Sequence, residues 1–147
     1  MHRELPLFEA KDASGAWAGT RTAWQRKDML ALAPHEGCAR CEAVLAALEQ
    51  DGHPDDVAAF VVRPTASRPG ELHDPDHTLA GLLRDAGGLG DERAVALVAD
   101  RYAQLYVAVD LHQGEAGACA KDIADWVLAA QKACAECSAM PEPGSDS

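Results

Sequence analysis

The sequence predicts one α/β domain, a mixed central sheet with helices on both faces. Three observations lead there. Short apolar runs of strand length alternate along the chain with amphipathic stretches of helical period. Glycine, proline and aspartate close these segments, so the connections are short. The 147 residues, 48% hydrophobic and 25% charged, suffice for one sizeable core and show no compositional break that would mark a second. The domain is expected over 1–138, with 1–27 as an N-terminal extension and 139–147 as a disordered polar tail.

Leu5-Pro6-Leu7-Phe8, a turn at Asp12-Ala13-Ser14-Gly15 and the stretch 16–24 read as a hairpin or an extended opening. Residues 29–33 form a short apolar run stopped by Pro34 and Gly37, the pattern of a strand buried on both faces. From Cys41 the apolar positions fall at Val44, Leu45 and Leu48, the stripe of a helix ending near Asp51-Gly52. Residues 57–62 are a second buried strand, followed by a loop over 63–70. Asp74 can cap the next helix with Pro75 in its first position; Leu79, Leu82, Leu83 and Ala86 would form its apolar stripe, and Gly87-Gly88 would stop it. Residues 94–99 and 105–109 form an antiparallel hairpin. A last helix is expected from about Ala116 to Cys134, with Cys119, Ile123, Trp126, Val127 and Ala130 on one face.

Formal net charge is -11, with 24 acidic and 13 basic residues, so the mean field repels phosphate backbones and nucleic acid is not an expected partner. No apolar run reaches the length of a membrane span, and the first residues lack the pattern of a signal peptide. A cytoplasmic location is the resulting expectation. No phosphate-binding loop, dinucleotide fingerprint, nucleophile elbow or HExxH motif occurs.

The five cysteines, at 38, 41, 119, 134 and 137, are an odd set, which points to redox or metal chemistry rather than to a disulfide framework. Cys38 and Cys41 stand where a buried strand gives way to a helix. A thiolate there faces unpaired backbone N–H groups, so Cys38 should be the more acidic sulfur. His35 and Arg40 could add positive charge if their side chains turn towards it. In the chemistry this allows, Cys38 attacks a substrate disulfide and Cys41 resolves the mixed disulfide. The bland alternatives are half of a metal site or two buried small apolar residues. His73 and His77 lie beside carboxylates, but the capping role of Asp74 and the proline at 75 explain that segment without a metal. Trp17, Trp24 and Trp126 read as core or edge packing.

The element order, with Gly37-Cys38-Ala39-Arg40-Cys41 opening the first core helix, resembles the thioredoxin fold, and the chain is similar to its redoxin branch, which includes peroxiredoxin-like proteins. Leu5-Pro6-Leu7-Phe8 with Asp12 and Gly15 resembles the redoxin opening hairpin. Val98-Ala99-Asp100-Arg101 with Tyr106-Val107 resembles the late hairpin, and Trp126 through Cys134-Ala135-Glu136-Cys137 is similar to redoxin-like proteins that end in a second CxxC. The resemblance implies a thioredoxin-like fold and gives Arg93 the place of an arginine that helps hold a peroxidatic thiolate. The chain departs from the family at two points. Thioredoxins carry a proline just before the first strand of the late hairpin, where substrate strands dock, and Glu92-Arg93-Ala94 has none. Peroxiredoxins use a Pro-x-x-x-Thr/Ser-x-x-Cys loop, whereas Ala31 and His35 stand at its proline and threonine positions.

In that architecture the last helix starts at the sheet edge that carries the first CxxC and runs away from it for roughly 27 Å, at about 1.5 Å per residue. Cys134 and Cys137 should therefore lie far from Cys38. They read as a second dithiol, as a zinc site shared between the tails of two chains, or as buried residues continuing the stripe. Cys119 reads as packing. The expected function is a thiol-disulfide oxidoreductase with a protein or small-molecule disulfide as substrate and no required cofactor. The rival is a binding or assembly subunit of a larger redox complex, its cysteines structural or metal-bound.

Overall fold

Residues 29–33 carry only apolar side chains, and as strand β3 (Asp28–Ala33) they are buried on both faces and form the centre of the sheet. The computed structural model describes residues 3–51, 56–90 and 92–139; within these, the side chains of residues 51 and 134–139 fall outside the description. Around β3 the chain builds a five-stranded sheet. It pairs in parallel with β4 (Val57–Arg63) and antiparallel with β6 (Val95–Ala99). Strands β5 (Glu71–His73) and β7 (Leu105–Asp110) complete the order β5-β4-β3-β6-β7.

Alternation along β3 decides what each face receives. Met29, Ala31 and Ala33, with Phe60, Val62, Val95 and Leu97, pack against Ala80 and Leu83 of helix α3 (Thr78–Gly87) and against Leu5 and Phe8 of the N-terminal segment. Leu30 and Leu32, with Ala96 and Val98, pack against Cys41 and Val44 of helix α2 (Ala39–Asp51) and against Cys119, Ile123 and Val127 of helix α4 (Ala116–Ala139). The mixed sheet with helices on both faces is thus the observed architecture. The N-terminal extension belongs to the same core. Among the described residues no helix is long and apolar enough to cross a membrane.

Several local expectations need correction. The opening hairpin is short, pairing β1 (Ala10–Lys11) with β2 (Trp17–Ala18), and a one-turn helix, α1 (Thr20–Ala23), replaces extended chain after it. The cause is the buried Thr20 hydroxyl, which donates to the Pro6 carbonyl at 2.7 Å and accepts the Phe8 N–H at 2.8 Å. Strand β5 falls just after the expected loop; with Leu72 its one apolar residue, it is too short for periodicity to show. Helix α3 starts at Thr78, so Pro75 lies outside it. Asp74 still caps it, because a left-handed turn at His77 (φ 60°) lets the carboxylate accept the N–H groups of Leu79 and Ala80 at 3.0 and 2.9 Å.

The α3 stripe is also shifted. Leu82 is 42% exposed, while Ala80 and Gly87 are buried. A Cβ at Gly87 would stand 3.2 Å from Leu97, so the helix lies close on the sheet and small residues take the contact. In α4, Ala120 is buried and Trp126 is 36% exposed at the edge of the stripe.

One ionic network ties the start of α2 to the end of β4. Arg63 donates from both terminal nitrogens to Glu42 (2.8 and 2.9 Å) and from Nε to Glu71 (2.7 Å). Burial of Glu71 disfavours its charge, but donation from the Ser67 and Arg68 N–H groups and from Arg63 outweighs it and holds the carboxyl below its ordinary 4.5. Arg63→Met leaves Glu71 and Glu42 without their cation and is expected to cost about 2 kcal/mol, seen as a lower urea midpoint with unchanged slope. A carboxyl whose pKa falls on folding stabilises fully above its unfolded value and loses that contribution as pH drops through the folded value. Variant and parent stabilities should therefore converge in acid, below the ordinary Glu71 value of 4.5.

Candidate functional site

Between the end of β3 and the start of α2 the chain passes through Pro34, His35, Glu36 and Gly37, whose φ of 65° makes the reversal that glycine allows most readily. Cys38 then takes the N-cap position. Its carbonyl accepts the first helical bond, from the Glu42 N–H at 3.0 Å, and its sulfur accepts the Cys41 N–H at 3.3 Å, the bond that a serine or aspartate oxygen makes in that role. The Cys41 N–H is the largest influence on the Cys38 thiol and draws its pKa below the ordinary 9.0. Burial opposes this, the Cys41 thiol and the Arg40 N–H support it, and the Glu42 charge opposes it.

Cys41 lies one turn on, fully buried between α2 and the sheet. Burial pushes its thiol up to about 11, although the His35 N–H donates to its sulfur at 3.4 Å. The two sulfurs are thus set apart: Cys38 is half-buried with its pKa drawn down, Cys41 fully buried with its pKa pushed up.

Sequence reasoning did not single out His112. It follows β7 in a turn held by Asp110, whose carboxylate accepts the His112 N–H at 2.9 Å, and by the Leu111 N–H, which donates to Ala94 at 2.9 Å. The turn brings His112 Nε2 to 3.2 Å from Cys38 Sγ and 3.4 Å from Cys41 Sγ. The His35 ring meets it edge to face with centroids 5.0 Å apart. His35 Nε2 is in turn 2.5 Å from the Glu92 carbonyl, in the loop before β6. One ligand-type atom from each of His35, Cys38, Cys41 and His112 lies within 4.8 Å of the others, and these four could hold a metal ion.

The remaining expected site residues are placed differently. Arg40 turns to the Gln113 carbonyl at 3.4 Å, and Arg93 pairs with Asp110 at 3.1 Å rather than with a sulfur. Both therefore brace the turn that carries His112. Cys119 is buried at the start of α4, with burial raising its pKa and its thiol 3.6 Å from the Asp110 carbonyl. Cys38, Cys41 and Cys119 are free thiols. The side chains of Cys134 and Cys137, and residues 140–147 of the expected tail, lie outside the described residues; the backbone of α4 carries both cysteines at its far end, away from the turn at Asp110. No cis peptide bond occurs among the described residues, and the loop before β6 keeps Glu92-Arg93-Ala94 where a docking proline would stand.

The fold that carries these residues is shared with solved structures. The chain is similar to a candidate protein disulfide isomerase from Bacteroides thetaiotaomicron, at 17% identity over 86% of this chain and 89% of that one, with a TM-score of 0.64. It is similar to the peroxidoxin BcpB from Mycobacterium tuberculosis, at 12% identity over 88% and 98% of the two chains, TM-score 0.59. A third match is BsSco, a member of the Sco family of cytochrome c oxidase assembly proteins, at 11% identity over 90% and 95%, TM-score 0.59. No protein-family model and no curated protein matches the chain significantly. The chain has a thioredoxin-like fold.

The unequal sulfurs can be measured directly. With only thiolates reacting, iodoacetamide should modify Cys38 first, its rate rising with pH to a plateau with a midpoint below 9.0, whereas Cys41 should follow a midpoint near 11. Peptide mapping by mass spectrometry would show the order; equal rates at the two positions would contradict the N-cap arrangement.

Proposed function

We propose that the chain is a thiol-disulfide oxidoreductase in which Cys38 is the nucleophile and Cys41 the resolving thiol. The observation that carries this reading is the half-buried N-cap sulfur, which accepts the Cys41 N–H, beside a fully buried one, with His112 Nε2 within 3.4 Å of both. The Cys38 thiolate attacks one sulfur of a substrate disulfide, the S–S bond breaks, and the electron pair leaves with the other substrate sulfur. Cys41 then attacks Cys38 Sγ. Its proton passes to His112 Nε2, the second substrate sulfur departs as thiolate, and Cys38 and Cys41 are left as a disulfide. Two electrons have moved from protein to substrate. His112 thus serves as the base that a thiol with a pKa of about 11 needs near neutral pH. Arg93 and Asp110 are positioning residues for His112, through the turn described above, and His35 acts on Cys41 through its backbone N–H.

The substrate class that fits is a protein or small-molecule disulfide, because the Cys38 side of the site is open and no cofactor is needed to balance the exchange. A compartment that keeps thiols reduced, such as the cytoplasm, suits this direction of electron flow. The rival reading, a binding or assembly subunit, is favoured by one observation: Glu92 has its carbonyl engaged by His35 in the loop where a docking proline would stand.

Reduction of insulin by the full chain, with dithiothreitol as electron source, separates the two. Cys38→Ser should abolish the activity, and Cys41→Ser should trap a mixed disulfide visible by mass spectrometry. His112→Asn should slow release of that intermediate about 100-fold while leaving the first attack intact. Insulin reduction by Cys38→Ser at the parent rate would rule out the oxidoreductase and leave the subunit reading.

A further inference from the structure

Two thiolates and two imidazoles are the donor set that soft or borderline metals select. In a tetrahedral site with metal–sulfur bonds of about 2.3 Å and metal–nitrogen bonds of about 2.0 Å, sulfur and nitrogen stand about 3.6 Å apart. His112 Nε2 already lies 3.2 Å from Cys38 Sγ and 3.4 Å from Cys41 Sγ, and one donor atom of all four residues falls within 4.8 Å. Closing such a set around an ion asks for shifts of about 1 Å or less.

The surroundings match as well. With Nε2 donating to the Glu92 carbonyl, His35 carries its lone pair on Nδ1, and a backbone carbonyl on the second ring nitrogen is what orients a ligating histidine. The sulfurs accept N–H bonds from His35 and Cys41, which offset the charge a thiolate ligand brings. His112 is held by the Asp110 turn rather than by a flexible tail. Three separate segments supply the set: the loop after β3, the first turn of α2 and the turn after β7.

We infer that His35, Cys38, Cys41 and His112 form a four-coordinate site for a divalent ion of the zinc type when both thiols are reduced. The ion binds both sulfurs as thiolates, so each S–H proton still present, at most two, is released and no electron moves. A Cys38–Cys41 disulfide removes both thiolates, which makes the metal-bound and oxidised forms mutually exclusive. The inference goes beyond the redox reading and shares with it the two reduced thiols and His112. A bound ion would silence disulfide exchange, and an oxidant would release it.

Cobalt(II) is the probe, because tetrahedral cobalt with thiolate ligands absorbs intensely in the visible and adds a sulfur-to-cobalt charge-transfer band. The full chain carries Cys134→Ser and Cys137→Ser, so that the second pair supplies no sulfur. Reduced protein should bind one cobalt per chain with the tetrahedral spectrum, and zinc should displace it. His112→Asn and His35→Asn should each weaken binding at least about tenfold. Protein first oxidised by diamide, which takes up the two electrons and two protons of the dithiol, should bind none. An unchanged affinity in either histidine variant, a weak octahedral spectrum without charge transfer, or equal binding after oxidation would overturn the site. Insulin reduction by the Cys134→Ser, Cys137→Ser chain with both histidines intact, measured in chelator, is read separately, so failure of that reduced chain to bind cobalt with intact reduction defeats this inference alone.

Discussion

The fold depends on one constraint, that β3 must be covered on both faces. A strand of Met29-Leu30-Ala31-Leu32-Ala33 cannot leave either side to water, so the chain has to supply two layers of cover. The α2–α4 layer takes one side, and α3 with the N-terminal segment takes the other. Because β4 runs parallel to β3, the link between them must cross over one face, and α2 is that link. The end of β3 and the start of α2 therefore meet at one edge of the sheet, and the cysteine pair lies at that junction.

From this placement the inequality of the two sulfurs follows. The N-cap residue looks outward past the end of the helix and gathers backbone N–H groups, whereas the residue three positions on turns back under the helix into the core. Cys38 and Cys41 occupy those two positions. The same backbone that lowers the pKa of one sulfur buries the other, so the two sulfurs are made unequal by geometry before any neighbouring side chain acts, which is what the proposed roles of nucleophile and resolving thiol require. Arg40 and Arg93 make their hydrogen bonds away from the Cys38 and Cys41 sulfurs. Their partners, Gln113 and Asp110, flank His112, and their place in the site is through that turn.

His112 gives the site its second level. Without it, Cys38 and Cys41 are a dithiol at a helix start with backbone N–H groups as their neighbours. With His112 and His35 beside them, the same two sulfurs have an imidazole nitrogen within 3.4 Å and belong to a set of four donor atoms within 4.8 Å of one another. Proton transfer and metal binding are alternative uses of the same lone pairs. On the two proposals above, metal supply and the redox state of the pair would choose between them.

Read without a structure, the chain disclosed its buried strands, its main helices, the late hairpin and the position of the CxxC pair, because all of these are local: a hydrophobic period, a glycine or an N-cap is written within about ten residues. Short elements escaped it. Strand β5 has only Leu72 to show, and the first turn of α1 exists because Thr20 bonds back to Pro6 and Phe8 across the N-terminal segment. The partners of the site were beyond reach for the same reason. His112 lies more than seventy positions from Cys38, and nothing between Leu111 and Gln113 marks it as a neighbour of the cysteines. Its approach is set by the register of β3, β6 and β7 and by the turn at Asp110. Sequence by itself determined where the reactive pair would sit; only the packed sheet decided what would face it.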